Sequence, residues 1–298
     1  MYIRDETYDF PSRLITRVNP RCNLGDVLVL SYLKKLILKR VNVTKEIFQN
    51  FLKNSPNLEM ISIHDPFYLD HIIINGQCRN LKYFEIVDTC KDVKSIYLSN
   101  LDLVSFTFKG YNIDLRLAHL PKLKEVDLDM VRLNINNAFR QILFCALSME
   151  SLSMNVKKPE GRELSVFIKS VSMLSNMKKL RLAVGGSGYD CLLFLTSIMN
   201  ACPNLETFSI KPCWTSPIIT KKARVATNPH KNLKLVEIVE YKGRKCDFEL
   251  AAYIIQTAVA LKEVVISVSR DCLKKKAAES CTKLIESIKA QGVELVIV

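Results

Sequence analysis

Twelve times in 298 residues the chain returns to one six-residue pattern: apolar, two variable, apolar, one variable, apolar. The copies open at Leu33, Leu58, Leu81, Val93, Leu103, Leu123, Met149, Met177, Leu205, Leu233, Leu261 and Val293. The last copies are evenly stepped: Met149 to Met177, Leu205, Leu233 and Leu261 are four equal steps of 28. Equal steps mean that one structural unit is built again and again, so periodicity has to be read before any local motif.

The last two apolar positions of the pattern lie two apart and share one face of an extended strand. A polar residue usually stands between them: Ser62, Glu85, Asp127, Ser153, Arg181, Ser209, Glu237. That alternation predicts a half-buried strand. Most intervals then hold one amphipathic helix. Ile47, Phe48, Phe51 and Leu52 make one stripe, and Phe139, Ile142, Leu143 and Ala146 another. Leu164, Phe167, Ile168 and Val171 make a third, Leu250, Tyr253, Ile254 and Ala258 a fourth, and Ala278, Cys281, Leu284, Ile285 and Ile288 close the series.

Strand then helix at this period predicts an α/β leucine-rich-repeat solenoid, a horseshoe with a concave parallel sheet of about twelve strands and helices on the convex side. Residues 1–29 are expected to be an N-terminal extension or cap, and 30–298 the repeat domain. Around Val93 and Leu103 only six and four residues separate successive patterns, which predicts a thin, turn-only segment near 90–110.

Charge and cysteine usage narrow the function. Net charge is +13, with +3 in residues 1–150 and +10 in 151–298. Such an excess allows acidic proteins or nucleic acid as partners. The basic runs at Lys157–Arg162, Lys221–Arg224 and Lys274–Lys276 lack the interleaved aromatics of a nucleic-acid groove, so nucleic acid is not the expected partner. The ten cysteines include no C-x-x-C pair and several sit in apolar runs, as expected of reduced thiols used as small core residues. No apolar run approaches the roughly 18 residues of a membrane span. The start MYIRDETYDF has no apolar signal region, so cytoplasm or nucleus is expected and no membrane partner.

Candidate chemistry is sparse. The stretch LRLAVGGSGYDCLLFL resembles a phosphate loop in composition alone. A Walker loop needs Lys-Ser/Thr after the last glycine, and Tyr189 and Asp190 follow Gly188; a dinucleotide loop needs a third glycine, and Cys191 stands there. Gly185, Gly186 and Gly188 are expected instead to form a tight turn with positive φ. No nucleophile elbow, HExxH helix or catalytic triad is visible. His64 and His71 are near in sequence, but no thiol or carboxylate pattern completes a zinc site around them. No enzyme activity, cofactor or metal is expected.

The solvent side of a repeat sheet is where partners bind. Taking the third and fifth pattern positions and the one after the sixth gives that face. It holds Lys35 and Lys39, Tyr83 and Glu85, Ser95 and Tyr97, then Glu125, Asp127 and Asp129. Ser151, Ser153 and Asn155 follow, then Lys179 and Arg181, then Thr207, Ser209 and Lys211. Of these, Lys179, Arg181, Thr207, Lys211, Ser151, Asn155, Glu125, Asp127, Tyr83 and Tyr97 are the candidate partner-binding residues. The segregation of acid and base along the face suits a protein; a small anion or hormone is one alternative ligand, and nucleic acid on the basic second half is the other.

Two segments carry a resemblance: ACPNLETFSIKPCW, and PHKNLKLVEIVEYKGRKCDFELAAYIIQTAVALKEVVI. They resemble the FBD region of plant F-box/leucine-rich-repeat proteins. His230, Leu233 and Lys234, Gly243, Glu249–Ala258 and Leu261–Ile266 carry the match, and the closing segment AAESCTKLIESIKAQGVELVIV fits it too. The resemblance is specific over about 205–298. It implies a noncatalytic module like the substrate-binding part of a ubiquitin-ligase receptor. No F-box pattern is recognisable in DFPSRLITRVNP, which makes the Skp adaptor and cullin doubtful partners and leaves the protein target unidentified.

Overall fold

The computed structural model describes residues 2–9, 30–87, 93–157, 174–186, 191–214, 229–269, 274–288 and 292–298. The chain divides into two compact units, one of residues 1–133 and 139–148, the other of 134–138 and 149–298.

In the first unit β1 (Tyr2–Asp9), β2 (Lys35–Asn42), β3 (Met60–His64), β5 (Tyr83–Val87), β7 (Ser105–Tyr111) and β9 (Glu125–Asn134) pair in parallel in that order. β4 (His71–Asn75), β6 (Ser95–Ser99) and β8 (Asp114–Ala118) form a separate parallel sheet of three strands. The second unit holds β10 (Ser151–Lys157), β11 (Lys179–Gly186), β12 (Thr207–Trp214), β13 (Leu235–Tyr241), β14 (Glu263–Val268) and β15 (Glu294–Ile297), again parallel and in chain order. The helices are α1 (Lys45–Asn54), α2 (Ile135–Ile142), α3 (Cys191–Asn200), α4 (Lys245–Thr257) and α5 (Lys274–Ile288).

In the copies from Leu33 to Leu261 the strand begins two residues after the first apolar position, as at Leu33 and Lys35 or Leu261 and Glu263. The residue between them sets the step to the next repeat. The Lys34 carbonyl accepts from the Glu59 and Met60 amides at 2.8 and 3.0 Å, and the Glu150 carbonyl accepts from Lys178 and Lys179 at 2.8 and 3.0 Å. An asparagine before the first apolar residue ties the turns together. Asn80 Nδ2 donates to the Pro56 carbonyl, Asn204 Nδ2 to Ser175 and Asn232 Nδ2 to Pro203, at 3.2, 2.7 and 3.1 Å. The copy expected at Val293 is corrected by one residue: β15 begins at Glu294, in register with Glu263, so Leu295 and Ile297 align with the buried Val264 and Ile266.

The segment near residues 90–110 is not turn-only. The copy at Val93 forms β6 of the second sheet, so the main sheet steps directly from the copy at Leu81 to the copy at Leu103. The steps that open at Leu58, Leu81 and Leu103 return through β4, β6 and β8. Each is shorter than the step that opens at Leu33, which returns through α1. A strand advances about 3.3 Å per residue and a helix about 1.5 Å, so an extended return needs fewer residues. The number of main-sheet strands stays at twelve among the described residues, six in each unit, because β1 joins ahead of residue 30.

The first unit's core lies between its two sheets. Phe84 and Phe106 touch with ring centroids 5.9 Å apart, and Ile72, Ile74, Ile96 and Leu98 are fully buried on the second sheet. Each such side chain contributes roughly 1.5–3 kcal/mol. Both free edges of the small sheet are guarded by side chains: Gln49 Nε2 donates to the Ile73 carbonyl, and Gln141 Nε2 to Ile113 at 3.1 Å. Thr44 caps α1, its hydroxyl accepting from the Ile47 amide at 3.4 Å.

In the second unit α3, α4 and α5 pack side by side. α4 buries Leu250, Ala251, Ile254 and Ile255, and the strands bury Leu180, Phe208, Val236 and Val264. The entry to α4 is a dense polar cap. Gly243 has φ +66°, and the buried Asp247 carboxylate accepts from the Lys242 and Arg244 amides at 3.3 and 3.2 Å and from Arg244 Nε at 3.1 Å. The helix expected from Leu164 to Val171 lies outside the described residues. The expected turn at Gly185 and Gly186 is corrected: both are strand residues of β11, in register with Cys213 and Trp214. A Cβ on Gly185 would meet only ordinary contacts, the nearest 3.7 Å away, so flexibility is not what the position needs. Gly188 lies outside the described residues.

Candidate functional site

Parallel registration turns the alternating sequence into straight rows across each open sheet face. In the first unit one row runs Lys35, Met60, Tyr83, Ser105, Glu125 and the next Ile37, Ser62, Glu85, Thr107, Asp127. A third sets Lys39 beside His64 and Val87, with Lys109 beside Asp129 further on. Tyr83 is 48% exposed at the middle of the first row. Beside it Ser62 is held from two sides: its hydroxyl donates to Glu85 Oε2 at 2.9 Å and meets His64 Nε2 at 2.8 Å. Lys109 pairs with Asp127 at 3.3 Å.

In the second unit the rows are Ser151, Lys179, Thr207, Leu235, Glu263, Glu294 and Ser153, Arg181, Ser209, Glu237, Val265, Val296. Asn155, Ala183 and Lys211 begin a third. Arg181 reaches over β12 to within 3.8 Å of the Glu237 carboxylate. Lys211 pairs with Glu240 at 2.6 Å, and that hydrogen bond holds its ammonium pKa above the ordinary value. The strand entries carry a further charge ladder, with Lys178 on Glu150 and Lys234 on Glu206, both at 2.8 Å.

The sequence-derived residues therefore fall into three places. Tyr83, Glu125 and Asp127 share the first unit's open face. Ser151, Asn155, Lys179, Arg181, Thr207 and Lys211 share that of the second. Tyr97, with Ser95, is corrected: it lies on β6 of the small sheet, in register with Ile73 and Arg116 and away from the main-sheet face. The basic patch is also less bare than its strands alone imply, because Glu237 and Glu240 on β13 answer Arg181 and Lys211. Glu237 was visible as a pattern position. Glu240 was not, since it sits at φ +56° where the β13–β14 register shifts.

Rows of alternating side chains on parallel strands, stepped by a fixed repeat, are the geometry of leucine-rich repeats. The sequence profile of the leucine-rich-repeat domain of At1g61320/AtMIF1 matches residues 16–294. The chain belongs to this leucine-rich-repeat family. It is also similar to two Arabidopsis thaliana proteins. The "Putative F-box/FBD/LRR-repeat protein At5g22610" is 28% identical over 123 residues, 38% of this chain and 24% of that protein. The "Putative FBD-associated F-box protein At1g61330" is 20% identical over 263 residues, 81% of this chain and 59% of that protein. The leucine-rich-repeat chain thus spans less than two thirds of the length of either relative. No helix among its described residues is long and apolar enough to cross a membrane.

Proposed function

We propose that this leucine-rich-repeat chain is the partner-holding module of an F-box-type receptor, and that it grips a protein on the open faces of its parallel sheets without chemistry of its own. One observation carries the reading. The open face of the first unit centres on a half-exposed tyrosine, Tyr83, flanked in register by Met60 and Ser105 and rimmed by Lys35 and Glu125. An aromatic anchor inside a charged rim is the composition of an interface hot spot. The second unit adds Lys179 and Arg181 as exposed cations.

The F-box names of the relatives supply the ligase part of the proposal: the held protein would be a substrate for ubiquitin transfer. The test is affinity purification of the tagged chain from plant extract, with the Tyr83→Ala and the Lys179→Glu/Arg181→Glu variants in parallel. The reading expects a protein that the wild type enriches and the variants lose, together with Skp adaptor and cullin. Equal recovery by all three baits would contradict the face assignment, and absence of adaptor and cullin would contradict the ligase assignment.

A further inference from the structure

The outer edge of β15 is unlike any other strand border in the second unit. Glu294 N and Val298 N donate to the Lys262 and Ile266 carbonyls, each at 2.9 Å, and Val298 O accepts from Val268 N at 3.0 Å. Alternate residues of a parallel strand turn their backbone groups to the same neighbour. Leu295 and Ile297 therefore present N–H and C=O outward, where no described strand pairs with them. The core side of the strand is open too. Ile297 is 46% exposed, whereas Ile266, its registered neighbour on β14, is 0% exposed.

The other face of the same two strands carries an unbalanced charge. Glu263 and Glu294 stand in direct register, on strands about 4.8 Å apart. Neither has an ion-pair partner among the described residues, and registered like charges on neighbouring strands repel. Backbone groups without partners, an apolar side chain without cover and a carboxylate pair without a cation thus meet on one strand.

We propose that the outer edge of β15 receives an extended basic–apolar segment of a partner protein, which adds to the sheet as a further strand. Its backbone would pair with Leu295 and Ile297. Its apolar side chains would cover Ile297 on the core side. A lysine or arginine on the alternate position would stand beside Glu294. Strand addition of this kind draws affinity from the main chain and specificity from alternate side chains. The site is separate from the open sheet faces, so it stands or falls independently of the partner-holding reading above.

The experiment is fluorescence anisotropy of the full chain with end-capped, labelled heptapeptides that alternate valine with lysine or valine with glutamate. Saturable binding of the lysine peptide, and none of the glutamate peptide, is expected. Leu295→Pro deletes an outward N–H and no bond to β14, a replacement that sheet edges tolerate. It should weaken binding about tenfold, the loss of one backbone hydrogen bond, while the circular dichroism spectrum stays as in the wild type. Glu294→Lys, which leaves the backbone edge intact, should shift preference toward the glutamate peptide. Equal binding of both peptides, binding indifferent to both variants, or self-association of the chain at this edge in sedimentation, with no peptide bound, overturns the proposal.

Discussion

The Lys211 ammonium lies 2.6 Å from the Glu240 carboxylate, joining the basic edge of one strand to a left-handed backbone kink at the end of the next. Both side chains are close to two-fifths exposed, so the pair contributes less than about 1 kcal/mol. The hydrogen bond from Lys211 to Glu240 raises the lysine pKa above its ordinary value. A group raised on folding stabilises fully below its unfolded value, near 10.4 for lysine, and loses that contribution as pH climbs through the folded value. Glu240→Gln should therefore lower the Lys211 pKa, read by NMR titration of its side chain, and cost under about 1 kcal/mol at neutral pH. An unchanged titration would show that the pair does not form in solution.

The polar cap of α4 should matter far more. Asp247 is buried and answers two backbone amides and the Arg244 guanidinium. Asp247→Ala leaves those donors without an acceptor and should cost about 3 kcal/mol in urea unfolding. Asp247→Asn, which keeps one acceptor oxygen, should recover part of it. A loss below about 1 kcal/mol would mean that water replaces the carboxylate without penalty.

Cysteine reactivity should separate the described thiols cleanly. Burial pushes Cys78 and Cys145 up to about 11 and Cys202 up to about 12. Cys213 is only partly buried, and burial raises its thiol as well. Alkylation with iodoacetamide at pH 8, followed by peptide mass spectrometry, should modify Cys213 well before those three, because only the exposed thiolate reacts. Fast modification of Cys202 in the folded chain would contradict its burial in the turn between α3 and β12.

Most of the main sheet was legible because a half-buried strand has to alternate, and the pattern at Leu33, Leu205 or Leu261 does so in step with its neighbours. The second sheet was not. Val93 begins the same pattern as its neighbours, and alternation says only that one face is buried, not in which sheet. Leu69, Ile72 and Ile74 make a further copy of the pattern beyond the twelve read from the sequence, are all fully buried, and lead into β4. The step from Leu69 to Val93 nearly equals the enclosing main-sheet steps, Leu58 to Leu81 and Leu81 to Leu103. That match, a second repeat running in parallel with the first, was the available signal. On the candidate face the rows could be read from pattern positions, so Tyr83 and Arg181 could be placed on the open face. The ion pairs could not, because Arg181 meets Glu237 across an intervening strand and Glu240 depends on a register shift.

The most direct test of the open-face account is hydroxyl-radical footprinting of the chain bound to the protein it enriches from extract. The account predicts protection of Tyr83 and Met60 on the first unit's open face, while Phe144, 82% exposed on the turn after α2, keeps its free-state reactivity. Protection at Phe144 with Tyr83 unchanged would contradict recognition through the open face of the sheet.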